Sequence, residues 1–431
     1  MHYTFTRYLT GLCLMVWAIL PLQAQNTTTT AETEADVTEE KDDSLALDSL
    51  AADTLRADTL RLPWPQSLQH ALDRLLDDKM FETSQVALMV WDLDADSCLY
   101  RHHERQLMRP ASTMKLLTAV TALDKLGGGY QFKTQLKYTG KIADGVLHGD
   151  VYCIGGMDPR FNNDDMTAFV HSLSEMGVDT IRGRIYADRT MKDTALLGEG
   201  WCWDDDNPVL SPLVFARKDG FMKRFVSRLK EQDIVVENDT VLAARCPASA
   251  FSLCTRFHTM DQILHKMMKE SDNLYAECMY YQVAASTELR PASAKSARSV
   301  ERRLIGRLGL DGSRYRLADG SGLSLYNYLS AEVECLLLRY AYRNENIWPH
   351  LKPSLPIAGV DGTLKKRMKS SFAHANVMAK TGTLTGIITL AGYCTAANGH
   401  TLCFAILNNG IMHAANARRF QDRVCNELCQ P

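Results

Sequence analysis

The chain has 431 residues, 46% of them hydrophobic and 23% charged, with a formal net charge of −3. That balance excludes a disordered or fibrous protein, and it excludes a general nucleic-acid binder, which would carry a basic excess. No apolar run after the N-terminus approaches about 18 residues, which excludes a polytopic membrane protein.

Residues 1–24 read as a secretory signal peptide. Arg7 gives the positive start, residues 9–22 form a short and almost uncharged apolar stretch, and Leu22-Gln23-Ala24 ends on a small residue. An uncleaved anchor is the alternative. Residues 25–62 are rich in Asp, Glu, Thr, Ser and Ala and hold no aromatic residue. Such a stretch buries too little apolar surface to offset chain entropy and reads as a disordered acidic linker.

The globular part begins with helical spacing over residues 67–76, a strand over 86–91, turn chemistry over 92–96 and a return strand from Cys98. Pro110-Ala111-Ser112 then leads into a buried helix over 114–126, which Gly127-Gly128-Gly129 stops. From residue 131 to about 245 the pattern is short strands and turns, with one amphipathic helix near 221–230. Helices dominate from His258 to Ala379. Residues 387–394 and 400–407 form a hairpin, and 418–429 a last helix.

Of 12 cysteines, Cys13 lies in the signal segment, so the exported chain keeps an odd number. A two-residue Asn398-Gly399 turn would set Cys394 opposite Cys403, close enough for a disulfide. Two buried thiols on one sheet face are the alternative. Cys425 and Cys429, a helical turn apart, are a second candidate pair. No Cys-x-x-Cys exists to support a zinc ribbon.

Three stretches carry chemistry. A Ser-x-x-Lys helix start puts hydroxyl and amine on one face, so the amine can take the hydroxyl proton. The chain has two, at Ser112/Lys115 and Ser227/Lys230. The second sits among Lys223, Arg224, Arg228 and Glu231 and reads as a solvated face. The first opens an apolar helix, at the end of the helix dipole that favours negative charge. Ser271-Asp272-Asn273 is by itself a plain helix cap. In Lys380-Thr381-Gly382-Thr383, Lys380 and Gly382 share one strand face, and the missing side chain at Gly382 would let a ligand lie against the backbone. His102-His103-Glu104 lacks a matching metal-ligand set and reads as a loop. Ser321, between two glycines, reads as a turn, and Met267-Met268 as ordinary helix core.

In this order, Ser-x-x-Lys, Ser-Asp-Asn and Lys-Thr-Gly form the signature of penicillin-interacting serine enzymes. With the further stretches 149–150, 155–159, 201–205, 319–324, 359–364 and 379–386, the chain resembles the D-alanyl-D-alanine carboxypeptidase/endopeptidase family of the penicillin-binding protein 4 type, across about 65–428. It departs from that family's usual pattern at 207–212 and 216–220. The resemblance implies a mixed α/β (α+β) fold: a β-lactamase/transpeptidase-like antiparallel sheet flanked by helices, with a mostly-β insertion. The transpeptidase-like domain would come from residues 63–135 and 255–431, with 136–254 inserted.

The resemblance further implies a periplasmic serine DD-peptidase acting on peptidoglycan stem peptides, with β-lactam antibiotics as covalent inhibitors. It implies no metal, cofactor, nucleic acid or membrane span after signal removal. Ser112 would be acylated and Lys115 would take its proton, its pKa lowered by burial and by Lys380. Ser271 and Asn273 would pass protons and hold the substrate amide. Thr381, Gly382 and Thr383 would bind the terminal carboxylate with Lys380, and the N–H groups of Ser112 and Thr383 would form the oxyanion hole. A β-lactamase-like hydrolase and a non-catalytic cell-wall sensor on the same fold are the alternatives. The long separation of Ser112 from Ser271 argues against the first, and the presence of all three motifs against the second.

Overall fold

The computed structural model describes residues 62–203, 207–287 and 289–430; the expected signal peptide, and the acidic linker up to residue 61, lie outside them. The chain opens with α1 (Gln66–Leu76), β1 (Gln85–Asp92), β2 (Ser97–His102) and α2 (Met114–Leu126). Then follow β3 (Gln131–Tyr138), β4 (Lys141–Ala143), β5 (Val146–His148), β6 (Val151–Ile154), α3 (Asn163–Glu175), β7 (Thr180–Ile181) and β8 (Ile185–Asp188). Next are α4 (Phe221–Glu231), β9 (Val235–Val236), β10 (Val241–Ala243), β11 (Phe251–Thr259), α5 (Met260–Lys269), α6 (Asn273–Ala285) and α7 (Ala294–Arg307). The chain ends with α8 (Ala331–Tyr342), α9 (Trp348–Ser354), β12 (Met378–Leu384), β13 (Ile387–Thr395), β14 (Thr401–Asn409) and α10 (Ala414–Cys429).

Five antiparallel strands in the order β12-β13-β14-β1-β2 form the main sheet. Its central strands β13, β14 and β1 are buried on both faces because both faces are covered. Val86, Leu88 and Val90 pack with α1 and α10, while Ala87 and Met89 pack with α2, α6 and α8. The period-two alternation of side chains thus sorts one strand between two cores. Helix α2 is buried on every side from Met114 to Leu123, and α6 from Leu274 to Ala284. Helices apolar all round belong in a core, and these two lie side by side in it.

Between α2 and α5 the chain builds a sheet in the order β10-β8-β6-β3-β11 and a smaller one in the order β4-β5-β7-β9. Helices α3 and α4 cover the first through Met166, Phe169, Val170, Leu173, Phe221, Phe225 and Leu229. Strands β3 and β11 pair with each other and run across positions 135 and 254, so this region is entered at Gln131 and left at Thr259.

The structure differs from the sequence expectations in particular places. Helix α3 was not expected, although its apolar residues repeat at helical spacing. Asn162 and Asp165 also form a reciprocal capping box at its start. Helix α10 starts at Ala414, earlier than the expected 418. The β13–β14 register pairs Cys394 with Leu402 and Tyr393 with Cys403, one residue away from the expected alignment. The cause is the turn: Ala396 N–H donates to the His400 carbonyl at 2.8 Å, and Gly399 sits at φ +85°, so the loop has three residues. A one-residue slip sends facing side chains to opposite faces. Cys394 therefore joins the α1/α10 core, while Cys403 faces Cys335 with their sulfurs 3.7 Å apart. Every described cysteine, Cys425 and Cys429 included, is a free thiol.

Candidate active site

The nucleophile turn is built locally. Pro110 leads into a single 3-10 turn, Ala111–Thr113, and α2 proper starts one residue later. Ala111 adopts φ 47° and Ser271 adopts φ 61°. A non-glycine residue in the left-handed region costs on the order of 1 kcal/mol and persists where its surroundings over-determine it. Here the surroundings are each other's motifs. Gly322 approaches so closely that an added Cβ would meet the Ala111 carbonyl at 1.8 Å. An added Cβ at Gly382 would lie 2.1 Å from Thr389 Oγ1 and 2.9 Å from both the Pro110 carbonyl and the Ser112 nitrogen. Glycine at 382 therefore admits the nucleophile turn against β12. The expectation that its open side accommodates a ligand is corrected: that side is filled by protein.

Lys115 is fully buried and its Nζ has three oxygen neighbours: Ser112 Oγ at 3.0 Å, Asn273 Oδ1 at 2.7 Å and the Ser321 carbonyl at 2.8 Å. The last two only accept. In the neutral amine the two N–H bonds go to them, and the lone pair is left for the Ser112 hydroxyl. Burial pushes the Lys115 pKa down to about 8, against the opposing charges of Asp319, Glu277 and Asp272. Lys380, also fully buried, donates to Ser271 Oγ at 2.8 Å and to the Thr381 carbonyl at 2.7 Å. Burial first, and the Lys115 cation second, hold it well below the ordinary lysine value. Asn273 starts α6, and Asp272 caps it by accepting from the Leu274 N–H at 2.9 Å. Ser271-Asp272-Asn273 thus bridges the two amines. Thr381 donates to Thr363 Oγ1 at 2.8 Å, and Thr383 is exposed on the same strand.

The structure therefore brings Ser112, Lys115, Ser271, Asn273, Lys380, Thr381, Gly382 and Thr383 together. It leaves Ser227 and Lys230 on the solvent face of α4, bonded to Glu231 and Asp239. His102 and His103 lie at the end of β2 with ring centroids 4.1 Å apart. Among the described residues no group of three or more His, Cys, Asp or Glu side chains is placed to hold a metal ion.

Several supporting residues carry no assigned role in the sequence reading, although Trp201, Arg217 and Asp319 fall within stretches it names. Buried Asp319 accepts from Gly322 N–H and Asn327 Nδ2 at 2.8 Å and from Ser324 N–H at 2.7 Å, which shapes the loop that offers the Ser321 carbonyl. Trp201 Nε1 reaches the same carboxylate at 2.8 Å. Thr113 Oγ1 lies 2.5 Å from Glu334 Oε1, whose carboxyl burial pushes up to about 8. The protonated acid can donate to that hydroxyl, which in turn donates to the Pro110 carbonyl at 2.7 Å. Arg217 donates to Asp272 Oδ2 at 2.7 Å, from the 216–220 stretch where the chain departs from its expected pattern. One signal could have found Glu277: it lies four residues after Asn273, on the same helix face.

A hydroxyl on a helix start, a buried amine with its lone pair directed at it and a second amine across a Ser-Asp-Asn bridge form the site of a serine peptidase of the penicillin-interacting class. The chain belongs to the D-Ala-D-Ala carboxypeptidase 3 (S13) family, matching it over residues 68–216 and 211–428. It is 26% identical over 419 residues to the D-alanyl-D-alanine carboxypeptidase DacB of Haemophilus influenzae, covering 78% of this chain and 87% of that one. The crystal structure of penicillin binding protein 4 from Haemophilus influenzae superposes with a TM-score of 0.76 at 24% identity, over 82% of this chain and 97% of that one. A second structure of that protein, complexed with a β-lactam, gives a TM-score of 0.72 at 25% identity, over 84% of this chain and 99% of that one.

Proposed function

We propose that this enzyme is an exported, periplasmic DD-peptidase that cleaves peptidoglycan stem peptides by way of an ester on Ser112. Ser112 Oγ attacks the carbonyl carbon of a D-Ala residue while Lys115 Nζ takes the hydroxyl proton. The C–N bond to the following D-residue breaks, and the leaving amine receives a proton relayed through Ser271 and the lysine pair. Water then attacks the ester, returns the proton to Ser112 and releases the shortened peptide. The N–H groups of Ser112 and Thr383 stabilise the oxyanion. Lys380, Thr381 and Thr383, along β12, receive the substrate carboxylate, and Asn273 holds its amide.

The observation that carries this reading is the Lys115 amine 3.0 Å from Ser112 Oγ, with its other two neighbours pure acceptors. The β-lactam complex of the Haemophilus influenzae protein supports β-lactams as acylating inhibitors here. No helix among the described residues is long and apolar enough to cross a membrane, and the signal-like start at 1–24 supports export. Mass spectrometry of purified muropeptides after incubation tests the activity. Loss of one D-Ala from pentapeptides, cleavage of cross-linked dimers, or both is expected. Unchanged muropeptides, with the protein folded, would refute the reading.

A further inference from the structure

Fully buried Glu277 takes no part in the steps above, yet it stands directly behind them. Its Oε1 accepts from the Gly320 N–H at 3.0 Å and from the Ser321 N–H at 2.8 Å. The carbonyl of that same Ser321 accepts from Lys115 Nζ at 2.8 Å, and Lys115 Nζ stands 3.0 Å from Ser112 Oγ. Glu277 and Asn273, one turn apart on α6, therefore grip the amine from two sides, Asn273 directly and Glu277 through the backbone of the 319–324 loop. Thr118 closes the other side by donating to the Gly320 carbonyl at 2.7 Å.

We propose that Glu277 is a positioning residue of the acylation step: it fixes the Ser321 carbonyl that steers the Lys115 lone pair onto the Ser112 hydroxyl. After Asp319, it also contributes to the negative charge that Lys115 feels. The titratable groups facing Glu277 are Lys115 on α2, Asp319 on the loop, Glu301 on α7 and, on its own helix, Cys278, Tyr280 and Tyr281. Burial, then Asp319, raises the Glu277 carboxyl to about 8, the region where Lys115 also titrates. As Glu277 loses its proton, its negative charge holds Lys115 cationic to higher pH.

The inference rests on acylation at Ser112, so the test reads acylation first. The second-order rate of labelling by a fluorescent penicillin is measured against pH for wild type, Glu277→Gln and Glu277→Asp, with thermal unfolding recorded for each. Gln keeps an acceptor oxygen and removes the charge. Its acidic limb is expected to move to lower pH by about half a unit. Asp keeps the charge but withdraws the oxygens by about 1.5 Å. It is expected to lose about tenfold or more of the plateau rate while its limb stays near that of wild type. A wild-type plateau in Glu277→Asp, or an unmoved limb in folded Glu277→Gln, would overturn the inference. If Glu277→Gln does not fold, the Glu277→Asp plateau alone decides. Failure of the wild type itself to label would instead refute the acylation reading on which the inference stands.

Discussion

Lys115 shows what one residue must reconcile. An ammonium cannot take a proton, so a lysine base works only above its pKa. With burial lowering that value to about 8, the acylation rate should rise with pH and level off above about 8. Stopped-flow acylation across pH checks this; a rate flat from neutral to alkaline pH would remove Lys115 as the base. At this scale the sequence was highly legible. Ser112, Lys115, Ser271, Asn273 and Lys380 belong to short motifs whose spacing encodes a local geometry, a helix turn or a strand face. Glu277 and Glu334 were less legible because their partners are backbone N–H groups and a hydroxyl from distant elements. Nothing in the residues around them encodes those contacts.

Among elements, β12 and the nucleophile turn have the tightest contact. Gly382 lets the strand lie flush on Pro110 and Ser112, so a methyl group there must push the two apart or displace Thr389. Gly382→Ala should therefore cut kcat/KM for acylation about a hundredfold, the order expected of a displacement near 1 Å, while unfolding remains a single transition. Wild-type kinetics in Gly382→Ala would show that the approach carries no functional constraint. The hairpin beside it shows where sequence reasoning failed. Asn398-Gly399 reads as a two-residue turn, but Gly399 ends a three-residue loop, and the cysteine alignment shifts with it. Two loop lengths share the same dipeptide, and only packing against two cores selects the register. Helix α3 was missed because the short strands around it dominated the pattern of that region.

For the molecule as a whole, the stretch between α2 and α5 is joined to the later helices and loops by polar contacts as well as by packing. Trp201 reaches the buried Asp319 carboxylate at 2.8 Å, Arg217 pairs with Asp272 at 2.7 Å, and Arg298 with Glu199 at 2.6 Å. Trp201→Phe keeps an aromatic side chain but removes the indole N–H, leaving Asp319 with one donor fewer. Stability should fall by about 1–3 kcal/mol, read as a lower urea midpoint; an unchanged midpoint would mean that this link is slack. The antiparallel main sheet with its flanking helices followed from the resemblance and the apolar strand runs. The parallel pairings inside the insertion did not, because short strands carry no record of their neighbours. Catalysis as described requires three distant stretches to converge on one oxygen, that of Ser112. Peptide mapping by mass spectrometry of penicillin-treated wild-type protein tests this most directly. A single penicilloyl adduct on Ser112, absent from Ser112→Ala and from Lys115→Ala, is predicted; an adduct on any other residue, or none, would contradict it.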